Sequence, residues 1–234
     1  MEFTLVFSGI QVFNDYGLLQ IDSDFINMCF LRKGSLSTTT YMNGSGVVTN
    51  PTRATVTVND NELIAFSSTV PVAIIGRDGN TVTLAAESPA GATINYWIFG
   101  GASAESDFGL QVYKSDGSLA FDSAWKLMNF LGGTSGNGNT SIPTGKTMAV
   151  VPQSMYFNTE YKSVIGGVSP SVFVIDSRVT RMSAAKIESG VLSVSTAIVD
   201  VWAFTRTNTG TVGPSGMSDN GVTPQYLMID VTGL

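Results

Sequence analysis

The chain has 234 residues, a formal net charge of −6 and a pI near 4.5, with 13% charged against 43% hydrophobic residues. That acidic balance, with no compensating basic patch, excludes the electrostatic footprint of a nucleic-acid or anionic-membrane binder. With no histidine and one cysteine, Cys29, an internal disulfide and a zinc site are excluded, and neither metal nor cofactor is expected.

At the N-terminus, "MEFTLVFSG" reads as a first strand, because its apolar run is too short for a secretory signal and position 2 is acidic. No apolar run approaches the length of a bilayer span, the longest being "VPVAII" and "VFVI". A soluble protein made in a cytoplasm is expected. Its thinly charged surface, rich in Ser, Thr, Asn and Gly, suits one covered by neighbouring subunits or facing a polar partner.

The stretch "GIQVFNDYGLLQIDSDFINMCFL", residues 9 to 31, returns as "GLQVYKSDGSLAFDSAWKLMNFL", residues 109 to 131, shifted by 100 positions without a gap. Gly9, Gln11, Val12, Gly17, Leu19, Asp22, Ser23, Met28, Phe30 and Leu31 are repeated as Gly109, Gln111, Val112, Gly117, Leu119, Asp122, Ser123, Met128, Phe130 and Leu131. Chance would supply about one or two such matches. The pattern predicts a tandem duplication: a first β domain at 1–105 and a second at 106–234, the second with longer loops. Each half is long enough to bury a core without a metal or disulfide.

Within each copy, alternating residues on either side of a glycine-bearing turn predict a β-hairpin, with Gly17 and Gly117 at positive φ. Asp22 and Asp122, each followed by serine, close the second strand. Their short oxygen-bearing side chains suit capping of backbone N–H groups better than a repeated cation or sugar ligand.

Further along, "ATVTV" (54–58), the hairpin "VAIIGRDGNTVTL" (72–84), "ATINYWIF", "TMAVV", "SVFVI", "VLSVSTAIVDVWAF" and "QYLMIDV" are β-branched or aromatic runs bounded by turn residues. "VAII" (72–75) faces "VFVI" (172–175) at the offset of 100, and "INYWIF" (94–99) faces "VDVWAF" (199–204) at 105, pairing Trp97 with Trp202. The five extra residues are expected in a loop. "SAWKLMNFL" (123–131) is the best helix candidate. Two all-β domains, each a small β-sandwich or partly closed barrel, is the economical fold class.

The Gly/Ser/Asn/Thr-rich segments 132–146 and 205–224 read as long loops, hence as contact elements or plain mobile surface. Asn137, Asn139, Asn208 and Asn220 are their candidate interface residues. Arg178, Arg181 and Lys186, the densest basic cluster, read as a solvated edge. Catalysis finds little footing, since without histidine a general acid or base needs a shifted carboxylate, lysine, tyrosine or the one thiol. Nothing in the spacing of Asp22, Asp24, Asp176, Glu188 and Asp200 singles out a glycosidase pair. Tyr96, Trp97 and Trp202 could stack on sugar rings, but tryptophans at equivalent strand positions are more often core.

The doubled "G[IL]QV[FY]xxxGxLxxDS" hairpin, at Gly9 to Ser23 and Gly109 to Ser123, resembles small structural proteins from the tail tip, baseplate or fibre-attachment region of tailed bacteriophages. The resemblance covers a minor part of the chain, and the doubling departs from it. It implies a non-enzymatic virion component assembled in the host cytoplasm, with other tail proteins as partners and a homo-oligomeric or ring-associated state. A host-receptor or carbohydrate-binding module, with a host surface glycan as partner, and a glycan-degrading enzyme are the alternatives.

Overall fold

In the computed structural model the residues described are 11–13, 17, 19–22, 27–42, 48–101, 106–166, 173–207 and 215–234, and all their regular structure is β. The first hairpin is β1 (Gln11–Phe13) and β2 (Leu19–Asp22), followed by β3 (Met28–Ser37), β4 (Thr39–Met42), β5 (Val48–Thr57), β6 (Leu63–Ser67), β7 (Val72–Asp78), β8 (Thr81–Ala86) and β9 (Thr93–Gly101). A second hairpin, β10 (Gln111–Tyr113) and β11 (Leu119–Asp122), leads to β12 (Asn129–Ser135), β13 (Gly138–Ser141), β14 (Met148–Ser154) and β15 (Phe157–Gly166). The chain ends with β16 (Phe173–Glu188), β17 (Val191–Thr207), β18 (Gly216–Asp219) and β19 (Gln225–Asp230).

Strands from both halves lie side by side in two sheets. The six-stranded sheet runs β12-β19-β14-β6-β9-β3, and the path β13-β17-β16-β7-β8-β5-β4 forms the nine-stranded sheet together with β15 and β18. Each seam between halves is a single antiparallel pair, Phe66 with Val150 in the first sheet and Val72 with Ala185 in the second. The two ends of the six-stranded path also meet, through a bridge between Cys29 and Leu127 and the bonds Phe30 N–H to Lys126 O and Met128 N–H to Met28 O. The Cys29 thiol is buried there and donates to Asn27 O at 3.2 Å.

Alternation along the strands decides which layer each side chain fills. From β6, β9, β14 and β19, Ile64, Phe66, Ile94, Ile98, Val150, Tyr226 and Met228 face the nine-stranded sheet and pack with Val72, Val82, Leu84, Ala185, Leu192 and Val194. Their neighbours Ala65, Trp97, Phe99, Ala149, Val151 and Ile229 point the other way, with Phe30, Met128 and Phe130, into the space closed by the Cys29–Leu127 bridge. The first core contains side chains from both halves, so the 105/106 boundary divides the chain but not the hydrophobic layer.

The strand registers echo the repeat. Phe30 pairs with Phe99 and Phe130 with Ile229, and in both strands the next residue, Leu31 or Leu131, is skipped by a bulge. Farther on, Gly34 stands opposite Tyr96 as Thr134 stands opposite Tyr226. This corrects the expected match of 94–99 with 199–204: the former lie in β9 of the six-stranded sheet, the latter in β17 of the other, and β19 takes the place of β9. An aromatic, β-branched run suits any half-buried strand, so a shared W-x-F cannot say which strand it is.

A second correction concerns "VFVI". The hairpin β16–β17 turns between Glu188 and Val191 as β7–β8 turns between Asp78 and Thr81, a shift of 110 rather than 100. Followed through the partner strands, past the β7 bulge between Ile74 and Gly76 that adds one to the shift, the buried Val72 and Ala73 correspond to Ser183 and Ala184, and 173–175 lie at the far end of a longer ribbon. The added length is strand, not loop. Residues 123–131 are likewise no helix: a short turn at Asp122–Trp125 leads into the Leu127 bridge and β12. Backbone pairing with residues 28–30 outweighs a weak helical pattern.

Arg32 and Glu62 tie β3 to the start of β6 through a bidentate pair, both contacts at 2.7 Å, with Asn59 N–H and Nδ2 donating to the same carboxylate. The Arg32 guanidinium, aided by Asn59, holds the Glu62 carboxyl down at about 2. A depressed carboxyl contributes stability that is complete above its unfolded value and is lost as pH falls through the folded value. Glu62→Gln is therefore expected to melt lower than the parent at neutral pH, with the gap closing from about pH 4.5 to about pH 2. Thermal melts across that range check it, and a gap independent of pH would remove the charge from the explanation.

Candidate functional site

Two groups of residues stand apart from the shared core. The first is the repeated hairpin. Both copies have the same register, Gln11 with Asp22 and Phe13 with Leu19, Gln111 with Asp122 and Tyr113 with Leu119, with a bulge at the same place. Gly17 and Gly117 sit at the turns with φ of 73° and 83°.

In the second hairpin the motif residues hold one another. Asp122 is fully buried and accepts from Ser106 N–H and Oγ, Gln111 Nε2 and Ala124 N–H, between 2.8 and 3.0 Å. These donors, Gln111 first, keep its carboxyl far below the usual carboxylate range. Ser123 Oγ accepts the Leu110 N–H, and Tyr113 donates to Gln111 Oε1. Gly109 has φ of 109°, and a methyl group there would collide with Ser123 Oγ. The Asp-Ser pair is thus a cap in this copy, with Asp122 occupied by protein donors. Gly9 lies outside the described residues, as does the side chain of Asp22.

Around this cap the surface is apolar. Phe108 is 90% exposed, Leu110 62% and Tyr113 50%, with Phe13 comparably exposed on the first hairpin. Strand alternation buries Val112 with Ala120 and Phe121 and turns Tyr113 outward. The Asn27 side chain anchors the hairpin to the sandwich by donating to Ala120 O at 2.7 Å.

The second group is the sheet extension. Beyond Ser183, whose backbone and hydroxyl bond Tyr156, β16 leaves β7 and pairs with β15 instead. A bulge between Thr180 and Arg181 bends the ribbon there, and β18 completes the order β18-β15-β16-β17. Tyr226, its phenol pushed up to about 12 by burial, donates to Ser183 O at 2.9 Å and pins the base of the extension.

Cross-strand rows place Tyr161, Arg178 and Trp202 side by side, then Ser163, Asp176 and Phe204, then Ile165, Val174 and Arg206, all on one face. On that face lies a shallow depression of about 240 Å³ lined by Tyr161, Ser163, Asp176, Trp202, Phe204 and Arg206, with Lys162 and Ser177 at its margin. The Trp202 and Phe204 rings lie 4.5 Å apart at 56°. Asp176 accepts from Ser163 Oγ and, at 2.7 Å, from Arg206 Nε, which together lower its pKa. Next along the face, Arg178 meets Asp200 at 2.8 Å, and Arg53, stacked 3.3 Å from the Tyr41 ring centre, reaches the same carboxylate at 3.5 Å.

Several expected features look different here. Arg178, Arg181 and Lys186 are not a free basic edge: each is half-buried and paired, with Asp200, Glu160 and Glu188. Asp176 and Asp200 share a face, but they stand four strand positions apart along the ribbon, about 13 Å, outside the spacing of glycosidase pairs. Segment 132–146 is largely strand, with Gly136 at φ 80° turning β12 into β13. Asn137 Nδ2 reaches Thr196 Oγ1 at 3.5 Å, and Asn139 pairs with Ser193. Of 205–224, residues 205–207 extend β17, 216–219 form β18, and Asn208 lies outside the described residues. Asn220 clamps the base of β15, accepting Phe157 N–H and donating to Met155 O. Tyr161 and Ser163 were missed at the sequence level because nothing marks which strands flank "VDVWAF".

Among the described residues no group of His, Cys, Asp or Glu could hold a metal ion, and no helix is long and apolar enough to cross a membrane. No protein-family model, curated protein or solved structure matches this chain.

Proposed function

We propose that this chain is a non-enzymatic structural subunit of a tailed-phage virion, working in the tail tip, baseplate or fibre-attachment region and assembled in the host cytoplasm through protein–protein contacts. The observation that carries the reading is the exposed apolar cap of the second hairpin: Phe108, Leu110 and Tyr113 stand in water on an element whose polar groups are locked by Asp122. Exposed large apolar groups beside a rigid scaffold mark an interaction surface, because covering them releases water at little conformational cost. A matching hairpin, with Phe13 where the second has Tyr113, offers a related docking element on the same chain, which suits pseudo-symmetric or ring-like neighbours. The wide separation of Asp176 and Asp200, each paired with arginine, supports the non-enzymatic part.

The test is Phe108→Asp combined with Leu110→Asp in a complementation assay. Both side chains are exposed, so the melting curve is expected to stay within a few degrees of the parent. Incorporation into particles is expected to fall at least about tenfold, since two carboxylates would be desolvated in any contact made there. Normal incorporation of a normally folded variant would remove the hairpin from the proposal.

A further inference from the structure

We propose that the depression on the sheet extension is a binding site for a neutral pyranose of a surface glycan. Tyr161, Trp202 and Phe204 belong to no buried cluster; Tyr161 is 47% exposed and Phe204 39%. Aromatic residues on an open sheet face, held by cross-strand pairing, form a preorganised apolar platform. Beside the platform sits an anion and a cation already fixed to each other, Asp176 with Arg206, and a hydroxyl, Ser163.

This combination selects its occupant. A carboxylate has about four acceptor sites, and Ser163 and Arg206 fill two, so Asp176 retains capacity for hydroxyl donors. A pyranose presents an apolar C–H face that covers a ring and, at its rim, hydroxyls that both donate and accept. Phosphate-bearing and strongly acidic ligands find the lining cations already committed, Arg206 to Asp176 and Lys162 to Glu160, and the net charge of −6 does not attract them. A purely apolar peptide would bury the Asp176–Arg206 pair without compensating hydrogen bonds. The cleft is shallow and open on the sheet surface, as suits one ring of a longer chain rather than a small molecule enclosed on all sides.

The experiment uses the full chain and a panel of neutral polysaccharides built from glucose, galactose, mannose or N-acetylglucosamine, read by tryptophan fluorescence and by retention in affinity gels. At least one member is expected to bind and to quench fluorescence. Trp202→Ala and, separately, the shape-preserving Asp176→Asn are each expected to weaken binding about tenfold or more. Trp97→Phe, in the other sheet, is expected to leave it unchanged. Virion incorporation of Trp202→Ala is expected to stay normal, which separates this site from the hairpin surface. Failure of the intact chain to bind any panel member, or binding indifferent to both variants, overturns the proposal. So does capture of a virion protein that Trp202→Ala abolishes.

Discussion

Phe66→Ala is expected to destabilise the whole chain by about 3–5 kcal/mol and to do so in a single transition. Phe66 is 1% exposed, and its backbone pairs with Val150 at the seam between β6 and β14, where the halves of the six-stranded sheet join. Its ring lies in the layer shared with Val72, Leu84, Ala185 and Val194, so the cavity would be lined from both sides of residue 105. If each half kept its own core, the substitution would lower one melting step and leave another in place. With a common core, calorimetry and circular dichroism should report one coincident loss. A variant showing two separated transitions, one at the parental midpoint, would refute the shared-core account.

Gly109→Ala should cost about 1–3 kcal/mol, while Gly117→Ala should cost about 1 kcal/mol. Both glycines have positive φ, so both substitutions strain the backbone. Only at Gly109 does the new methyl group also meet an obstacle, Ser123 Oγ, which is the acceptor for Leu110 N–H. Nothing lies within 4 Å of the position a Cβ would take at Gly117. Moving Ser123 aside would cost the hairpin the bond between Ser123 Oγ and the Leu110 amide. Proteolysis and hydrogen exchange of residues 106–123 should therefore rise in the Gly109 variant far more than in the Gly117 variant. Equal effects would mean that conformation alone, and not the Ser123 contact, explains the glycine.

The hairpins were legible in the sequence because their determinants are local: a turn glycine, alternation over a few residues and, in the second copy, an Asp-Ser cap act within about fifteen positions of each other. The all-β class was legible for the same reason, since period-two alternation marks strands singly. Which strands become neighbours was not. The seam contacts Phe66–Val150 and Val72–Ala185 join residues far apart in sequence, and nothing in either short run distinguishes its partner from other apolar strands. Segment 132–146 looked like a loop because its strands are built from Gly, Ser, Thr and Asn, residues that tertiary pairing can hold extended even though their own preference is weak. For the candidate glycan site, Trp202 was visible as a possible stacking residue, whereas Tyr161 and Ser163 reach it only through the β15–β16–β17 register.

The meeting of β3 and β12 at Cys29 and Leu127 has a consequence for how the protein behaves when crowded. It ties the two ends together only at residues 28–30 and 126–128, so the six-stranded sheet loses a short part of the edge on which another chain could add a strand. In the nine-stranded sheet the outer strands β4, β13 and β18 are four residues each, but β13 covers only Val191–Val194 of β17, whose remaining length is an edge among the described residues. The short outer strands, and charged residues such as Asp200 and Arg206 along β17, blunt uncontrolled edge-to-edge polymerisation, a hazard for a strand-rich chain with 13% charged residues to keep copies apart. Where the edges are blunted, association between copies or with other proteins is left to side-chain surfaces, whose shape and chemistry discriminate among partners as a bare backbone edge cannot.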